Sequence, residues 1–252
     1  MSKKSKKPKS KLKISPYAFI CFTVVIYFLM ILVVQIIQKP AHLLGFMSSY
    51  FYKTPYETWQ SYHQDFKQYE TITTSSYVLA AIAQVESSGN PIATPHWEWN
   101  LKNKWHSLYA PVSSSVGLYQ FTTPTFERAG TLCVHKGEIY DKVEPYQILH
   151  PCWWSRFGVR LSASSSIRAA SAYLHKEVGE LLRRFNMEHL GVKSRARLAM
   201  VVHLCGKYKA ALLLKKRSLA SLGYCGSHNV AQYIKKAERL IVKFKKLDHQ
   251  KI

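Results

Sequence analysis

YVLAAIAQVE, residues 77–86, is the segment from which the rest of the chain can be interpreted. Apolar side chains recur in it at Val78, Ile82 and Val85, and this spacing of one buried face predicts an amphipathic helix. The next five residues, SSGNP, contain the glycine and the proline that end a helix. Glu86 is therefore predicted to lie in the last turn, beside the apolar face.

The carboxyl group of Glu86 is predicted to resist ionisation. The negative end of the helix dipole and partial desolvation both favour its neutral form, so we expect its pKa to lie above the ~4.3 of a free glutamate. A carboxylic acid that is neutral near pH 7 can act as the general acid in glycosidic bond cleavage. A solvated surface glutamate is the alternative interpretation of a lone residue of this type.

A second segment, GLYQ, lies about thirty residues downstream of Glu86. Together with ESSGNP, which begins at Glu86, it resembles the two signature motifs of the soluble lytic transglycosylase (SLT) domain family, which belongs to the lysozyme-like superfamily. The resemblance implies a mainly α, lysozyme-like domain in which Glu86 is the catalytic acid/base. It also implies that the following residues contact the substrate: Ser87, Gly117, Leu118, Tyr119 and Gln120.

The third motif of the family, Ala-Tyr-Asn-Ala-Gly, corresponds here to VHLCG, residues 202–206. His203 stands where the family has the tyrosine that contacts the catalytic glutamate, and Leu204 stands where it has asparagine. Either His203 binds Glu86 or a sugar, or it is a packed histidine. A cationic His203 would lower the pKa of Glu86 and oppose its role as an acid. Tyr233 resembles the late tyrosine that closes the cleft in this family, so both His203 and Tyr233 are predicted to contact the substrate.

A single-carboxylate mechanism fits this chain, because its acidic residues are few and none forms a recognisable second catalytic carboxylate. The resemblance implies that Glu86 protonates the glycosidic oxygen between N-acetylmuramic acid (MurNAc) and N-acetylglucosamine (GlcNAc). The carboxylate of Glu86 would then take the proton of the C6 hydroxyl as a 1,6-anhydro ring closes. This mechanism requires no metal ion and no cofactor.

The 252-residue chain carries a formal net charge of +22. Seven lysines lie within residues 1–13, and the last sixty or so residues are again rich in Lys and Arg. Such a charge predicts an anionic neighbour, which could be phospholipid, nucleic acid or the acidic polymers of a bacterial envelope. No nucleic-acid-binding motif is recognisable, so we expect no nucleic-acid partner.

Tyr17–Ile37 is an uncharged, apolar run of 21 residues, and roughly 20 are enough to cross a bilayer as a helix. The lysines before it place the N-terminus in the cytoplasm by the positive-inside rule, so the rest of the chain is expected in the periplasm, held at the inner membrane. A cleaved signal peptide is the alternative, although no clear cleavage site follows. The predicted organisation is a cytoplasmic basic tail (1–15), a transmembrane signal-anchor (16–38), a stalk or entry segment (39–74) and a lysozyme-like domain (75–247).

Four of the five cysteines fall in the predicted domain, namely Cys133, Cys152, Cys205 and Cys225. They show no CxxC or Cys/His pattern, so a zinc site is not indicated. An even number in an exported domain predicts disulfides. Of the three possible connectivities, we expect the short-range pairs Cys133–Cys152 and Cys205–Cys225.

The sequence thus predicts a membrane-anchored peptidoglycan lytic transglycosylase that leaves 1,6-anhydroMurNAc ends. By analogy alone, it would open the wall for an envelope-spanning secretion or conjugation system. Two alternatives stay open. One is a non-catalytic wall-binding or assembly factor with the same fold, and the other is a lysozyme-type muramidase.

Overall fold

The structure is a computed structural model that describes residues 15–38, 49–95, 97–99, 109–111, 113–141, 149–150, 152–153, 159 and 162–250. The described chain is mainly helical, as predicted. It forms two compact units, one made of residues 1–40 and 98–110 and the other of residues 41–97 and 111–252.

The first unit contains helix α1 (Pro16–Gln38). Its described apolar side chains are largely exposed, and Cys21 is a free, exposed cysteine. Thr23 donates its hydroxyl hydrogen to the carbonyl oxygen of Ile20, 2.8 Å away. Across the described residues, we find no helix with the length and apolarity needed to cross a bilayer. The transmembrane helix predicted over residues 16–38 therefore has no support from the structure.

The second unit begins with a short 3-10 helix (Ser49–Phe51) and helix α2 (Pro55–Gln68). A capping box fixes the start of α2, since Thr54 and Glu57 each accept a hydrogen bond from the backbone N–H of the other. Trp59 of α2 is fully buried. Its ring stacks on those of Phe66 and Tyr77, at centroid distances of 6.1 and 5.5 Å. Residues 55–68 therefore pack as part of this unit.

The other helices that the structure describes in the second unit follow in chain order. They are α3 (Ser76–Ser87), α4 (Thr123–Ala129), α5 (Ala163–Arg184), α6 (Val192–Lys216), a 3-10 helix (Ala220–Leu222) and α7 (Val230–His249). α7 begins after Asn229, whose side chain accepts a hydrogen bond from the backbone N–H of Gln232 at 3.1 Å. This asparagine is one of the residues that cap helices well.

Within the described residues, three two-stranded sheets accompany the helices. The pairs are β1 (Trp97–Trp99) with β2 (Tyr109–Pro111), β3 (Leu132–His135) with β4 (Glu138–Asp141), and β5 (Tyr224–Cys225) with β6 (His228–Asn229). β3 and β4 are antiparallel, with Leu132 opposite Asp141 and His135 opposite Glu138. β6 directly precedes α7 and so sets the direction in which that helix starts.

Among the described helices, α3 has the largest share of buried residues. Leu79 and Ile82 have no exposed surface, and neither have Ala80, Ala81 and Ala83. The small alanines allow α7 to pack closely against α3, while α2 and α5 cover other parts of its surface. The segment that predicted an amphipathic helix is therefore a helix, but one that other elements enclose on more than one face.

Both predicted disulfides are confirmed. Cys133 of β3 is bonded to Cys152, and Cys205 of α6 is bonded to Cys225 of β5. Gly206 follows Cys205 with φ +74° and ψ 179°, which interrupts the helical geometry of α6. That positive φ is available to glycine at little cost. The second disulfide therefore links α6 to β5 next to the residue that interrupts the helix.

Candidate active site

The C-terminal end of α3 carries Glu86 in its last turn, as predicted. Ser88 ends the helix in the left-handed conformation, with φ 50°. Gly89 follows with φ +70°, and a Cβ atom there would lie only 2.0 Å from Oγ1 of Thr58. The same Thr58 hydroxyl donates to Oε1 of Gln84 at 2.6 Å. Glycine is therefore required where α2 presses against the end of α3, and this contact fixes the position of Glu86.

The carboxylate of Glu86 meets side chains from two other helices. The hydroxyl of Tyr233, on α7, donates to Oε1 at 2.6 Å. Nε2 of His203, on α6, lies 3.4 Å from the same oxygen. The side chains of Glu86 and His203 are only 16% and 5% exposed, so these contacts form in a nearly dry environment. The structure thus brings together three of the predicted site residues.

The imidazole of His203 is held between aromatic rings. The ring centroids of Tyr119 and Phe121 lie 6.1 and 6.0 Å from that of His203. In the described part of the chain, its buried Nδ1 atom has no hydrogen-bond partner. Any N–H group at this atom would be buried without a partner, which costs free energy.

The pKa of Glu86 lies below its ordinary value, so the prediction of a raised pKa is wrong. Burial is the largest single cause and does raise this pKa, as expected. The hydrogen bond and charge of His203, the hydrogen bond of Tyr233 and the charge of His228 lower it by more in total. All of these partners stabilise the ionised carboxylate. Burial and the nearby Glu86 raise the pKa of Tyr233 well above its ordinary value, so its hydroxyl stays a donor.

His228 is a site residue that the sequence did not reveal. It lies in β6, and its ring centroid is 6.5 Å from that of Tyr233. No motif contains it. The available signal was its position immediately before Asn229, the residue that caps the helix of Tyr233.

Hydrogen bonds join the GLYQ segment to α3 and to Ala93, which lies beyond that helix. The hydroxyl of Ser87 donates to the carbonyl oxygen of Leu118 at 2.8 Å. Nε2 of Gln120 donates to the carbonyl oxygens of Ala93 and Gly117, at 3.0 and 2.9 Å. The segment turns at Gly117, where φ is +83°. These hydrogen bonds hold the loop in a single conformation beside Glu86.

Several predicted substrate contacts occupy the interior instead of a cleft surface. The side chains of Ser87, Leu118 and Tyr119 are 4%, 0% and 1% exposed. Tyr119 donates its hydroxyl hydrogen to the carbonyl oxygen of Leu79 at 3.1 Å. In this conformation the hydrogen bonds of Ser87 and Tyr119 and the packing of Leu118 support the loop. Tyr233 and the side chain of His203 are scarcely more exposed, at 6% and 5%, so contact with substrate stays a prediction for all seven residues.

The chemistry available at the site is that of one carboxyl group with a hydroxyl and an imidazole. Within the described residues, none of the groups that shift the pKa of Glu86 is another carboxylate. Those residues also contain no cluster of three or more His, Cys, Asp or Glu placed to hold a metal ion. Proton transfer to and from Glu86 is what this arrangement can perform.

Comparison with known protein families gives a match to the transglycosylase SLT domain over residues 66–239. No curated protein and no solved structure matches the chain. The matched segment contains Glu86, His203, His228 and Tyr233, and it covers more than half of the chain. The chain therefore belongs to the SLT transglycosylase domain family, in the lysozyme-like superfamily.

Proposed function

We propose that this protein is a peptidoglycan lytic transglycosylase in which Glu86 is the catalytic acid/base. The observation that carries the proposal is the convergence of Tyr233 and His203 on one oxygen of Glu86, at 2.6 and 3.4 Å. In the described part of the chain no donor binds the other oxygen, Oε2. Oε2 is therefore the atom that exchanges a proton with the substrate, while Oε1 holds the carboxyl group in place.

The proposed reaction has two steps. In the first, the protonated carboxyl group of Glu86 gives its proton to the glycosidic oxygen between MurNAc and GlcNAc, and the bond from that oxygen to C1 breaks with its electron pair on the oxygen. The acetamido oxygen of the substrate stabilises the positive charge left at C1. In the second, the carboxylate takes the proton of the C6 hydroxyl, O6 bonds to C1, and a 1,6-anhydro ring forms. No water is consumed, and Glu86 ends protonated, as it began.

The alternative function, a non-catalytic wall-binding or assembly factor, is favoured by one observation. The lowered pKa of Glu86 leaves less of the protonated acid near pH 7 than an unperturbed glutamate would have. A lysozyme-type muramidase is the other alternative. It would need a second carboxylate or an activated water across the scissile bond.

The test is digestion of purified sacculi by the full-length protein, with products analysed by mass spectrometry. Glu86→Gln removes the acid, and Glu127→Gln, at an exposed position, is the matched control. We expect anhydro-muropeptides from the wild type and the control, and a loss of about 10²–10⁴-fold in rate for Glu86→Gln. Hydrated reducing ends would indicate a muramidase. No products from protein that still binds sacculi would indicate the non-catalytic factor.

We also propose that the protein is anchored in the inner membrane with its SLT domain in the periplasm. The apolar run Tyr17–Ile37 and the seven lysines before it support this placement. The two disulfides suit an oxidising compartment. A role in an envelope-spanning secretion or conjugation system is proposed by analogy only. A reporter that is active only in the cytoplasm, fused after Ile252, is expected to be inactive, and an active fusion would contradict the placement.

A further inference from the structure

Helix α7 presents two opposite faces. Val230, Tyr233, Ile234, Ala237 and Phe244 are buried on the face toward the core. At about 100° per residue, five exposed cationic side chains fall within a sector of about 100° on the other side and span about 16 Å of the helix. We name these five residues the basic stripe: Lys235, Lys236, Arg239, Lys243 and Lys246.

The acidic residues of α7 do not neutralise the basic stripe. Glu238 accepts a hydrogen bond from Nε of Arg197, on α6, at 2.7 Å. Asp248 bonds Nζ of Lys67 at 2.6 Å and the hydroxyl of Tyr77 at 2.8 Å. Among the described residues, none of the five stripe side chains forms an ion pair. Neighbouring charges of one sign within this distance repel each other, since the screening length is about 8–10 Å in ordinary buffers. An anion bound along the stripe relieves that repulsion.

We propose that the basic stripe is an exosite that binds the carboxylate-bearing stem peptides of peptidoglycan. This proposal rests on the proposed function, because it takes the same polymer as its ligand. Four of the five residues are lysines, which are mobile point charges and lack the fixed fork geometry of arginine. Such an array suits a string of carboxylates with variable spacing better than it suits one small anion in one pose.

The position of the stripe on α7 also favours this polymer. Tyr233, which bonds Glu86, and Lys235 are two residues apart on α7, about 3 Å along the helix axis but on opposite faces of the helix. The cross-linked wall is an extended polyanion, so stem peptides near a strand bound at Glu86 would reach the outer face of α7. The stripe would then raise the local concentration of substrate at the site.

A phospholipid surface is the other anionic partner to consider, and α7 suits it poorly. A helix that lies in a membrane interface inserts an apolar face between the headgroups. The apolar face of α7 is buried in the protein core, which leaves only Val242, 54% exposed, beside the stripe. Binding to lipid would therefore be electrostatic only.

The experiment measures binding of the full-length, detergent-solubilised protein to sacculi by co-sedimentation. All proteins carry Glu86→Gln, so turnover does not alter the polymer. The stripe variant combines Lys235→Gln, Arg239→Gln, Lys243→Gln and Lys246→Gln. The matched control removes the same charge from the N-terminal tail, with Gln in place of Lys3, Lys4, Lys6 and Lys7. A third protein carries Lys→Arg at 235, 243 and 246, and melting temperatures show that all are folded.

We expect the stripe variant to bind sacculi about tenfold more weakly than the control at low ionic strength, and equally well at about 0.5 M salt. The Lys→Arg protein is expected to bind like the parent. Amidation of the stem-peptide carboxylates should remove the difference between stripe variant and control. Equal binding of the two variants to untreated sacculi would overturn the proposal.

Two further arms separate the possible causes. A stripe variant that loses binding to phosphatidylglycerol vesicles, but not to sacculi, would also overturn the proposal and assign the stripe to lipid. The second arm uses proteins with Glu86 intact and a short soluble glycan without stem peptides. We expect the wild type and the stripe variant to cleave this glycan at equal rates. Slower cleavage by a folded stripe variant would overturn the exosite proposal. If neither the wild type nor the stripe variant cleaves any glycan, the proposed function is wrong. The binding measurements still test the basic stripe in that case.

Discussion

The segments that contribute Glu86 and His203 meet at one carboxylate but are built in different ways. In the first, which runs from the end of α3 through the GLYQ loop, polar side chains are paired: Ser87 bonds the carbonyl of Leu118 at 2.8 Å, and Gln120 bonds two carbonyls. In the second, His203 has a buried Nδ1 with no partner among the described residues and lies 3.4 Å from Glu86. The first segment fixes the shape of the site, and the second sets the charge on its acid. Shape and charge should therefore respond to different substitutions.

The largest effect on the shape segment is expected from Gly89→Ala. The new Cβ would overlap Oγ1 of Thr58, at 2.0 Å, in addition to the cost of a positive φ. We expect the free energy of unfolding to fall by about 3 kcal/mol, measured by denaturant titration. Gly137→Ala is the control, because φ there is +80° and a Cβ would meet nothing within 4 Å. It should cost about 1 kcal/mol. Equal losses for the two variants would contradict the close contact between α2 and α3.

The next largest effect is expected from Tyr233→Phe, which leaves Oε1 of Glu86 without its shortest hydrogen bond. Hydrogen bonds to charged groups contribute about 1.5–3 kcal/mol, so kcat/KM for glycan cleavage should fall by at least about tenfold. The pKa of Glu86 should also rise, since this bond favours the carboxylate. Tyr208→Phe, at a residue 77% exposed, is the control and should leave kcat/KM unchanged. An unaffected Tyr233→Phe enzyme would mean that the position of Oε1 does not matter.

The charge segment is tested by His203→Phe, read out as a pH profile. His203 lowers the pKa of Glu86, so its removal should raise that pKa and move the alkaline limb of kcat/KM to higher pH. His203→Gln keeps an N–H donor without the charge, and its limb should lie between those of wild type and His203→Phe. Unchanged limbs in both variants would show that His203 does not control the ionisation of Glu86.

The stability of the protein should depend on pH through the same ionisation of Glu86. Because the native pKa of Glu86 is depressed, the wild type gains stability above the ordinary value of 4.5 and loses it as the pH falls through the native pKa. The His203→Phe variant should not show this loss of stability at low pH. The measurement is the midpoint of unfolding as a function of pH in the two proteins, and parallel curves would count against the linkage.

The smallest effect is expected from Ser87→Ala. It removes the bond to the carbonyl of Leu118 and should cost about 1 kcal/mol of unfolding free energy, with the pH profile unchanged. Ser221→Ala, at an exposed position, should change stability by less than about 0.5 kcal/mol. A shifted pH profile for Ser87→Ala would show that shape and charge are not separable.

Local patterns predicted local structure well. The SSGNP sequence ends α3 one residue after Glu86, and both disulfides join cysteines about twenty residues apart. In each case the deciding interaction lies within a short stretch of chain. The sequence was sufficient to predict these features because the interactions that form them join residues close together in the chain.

The ionisation of Glu86 could not be predicted in this way. Its partners come from β6, α6 and α7, and Tyr233 is 147 residues away in the chain. The sequence showed the helix dipole and the apolar face of α3, which raise the pKa, but not the donors that converge on the carboxylate. The burial of Leu118 and Tyr119 was missed for a related reason, since Tyr119 packs against His203 and bonds Leu79, both distant in sequence. Family motifs identified these positions without showing which of them face solvent.

The most direct test of the central claim is digestion of sacculi by the full-length protein in oxygen-18 water. A single carboxylate that both protonates the leaving oxygen and deprotonates the C6 hydroxyl closes the ring within the substrate. We therefore predict that the new MurNAc ends carry no oxygen-18 and are lighter, by one water molecule, than hydrolytic ends. New ends that carry one oxygen-18 atom per cleavage would contradict this mechanism and show that the attacking group is water.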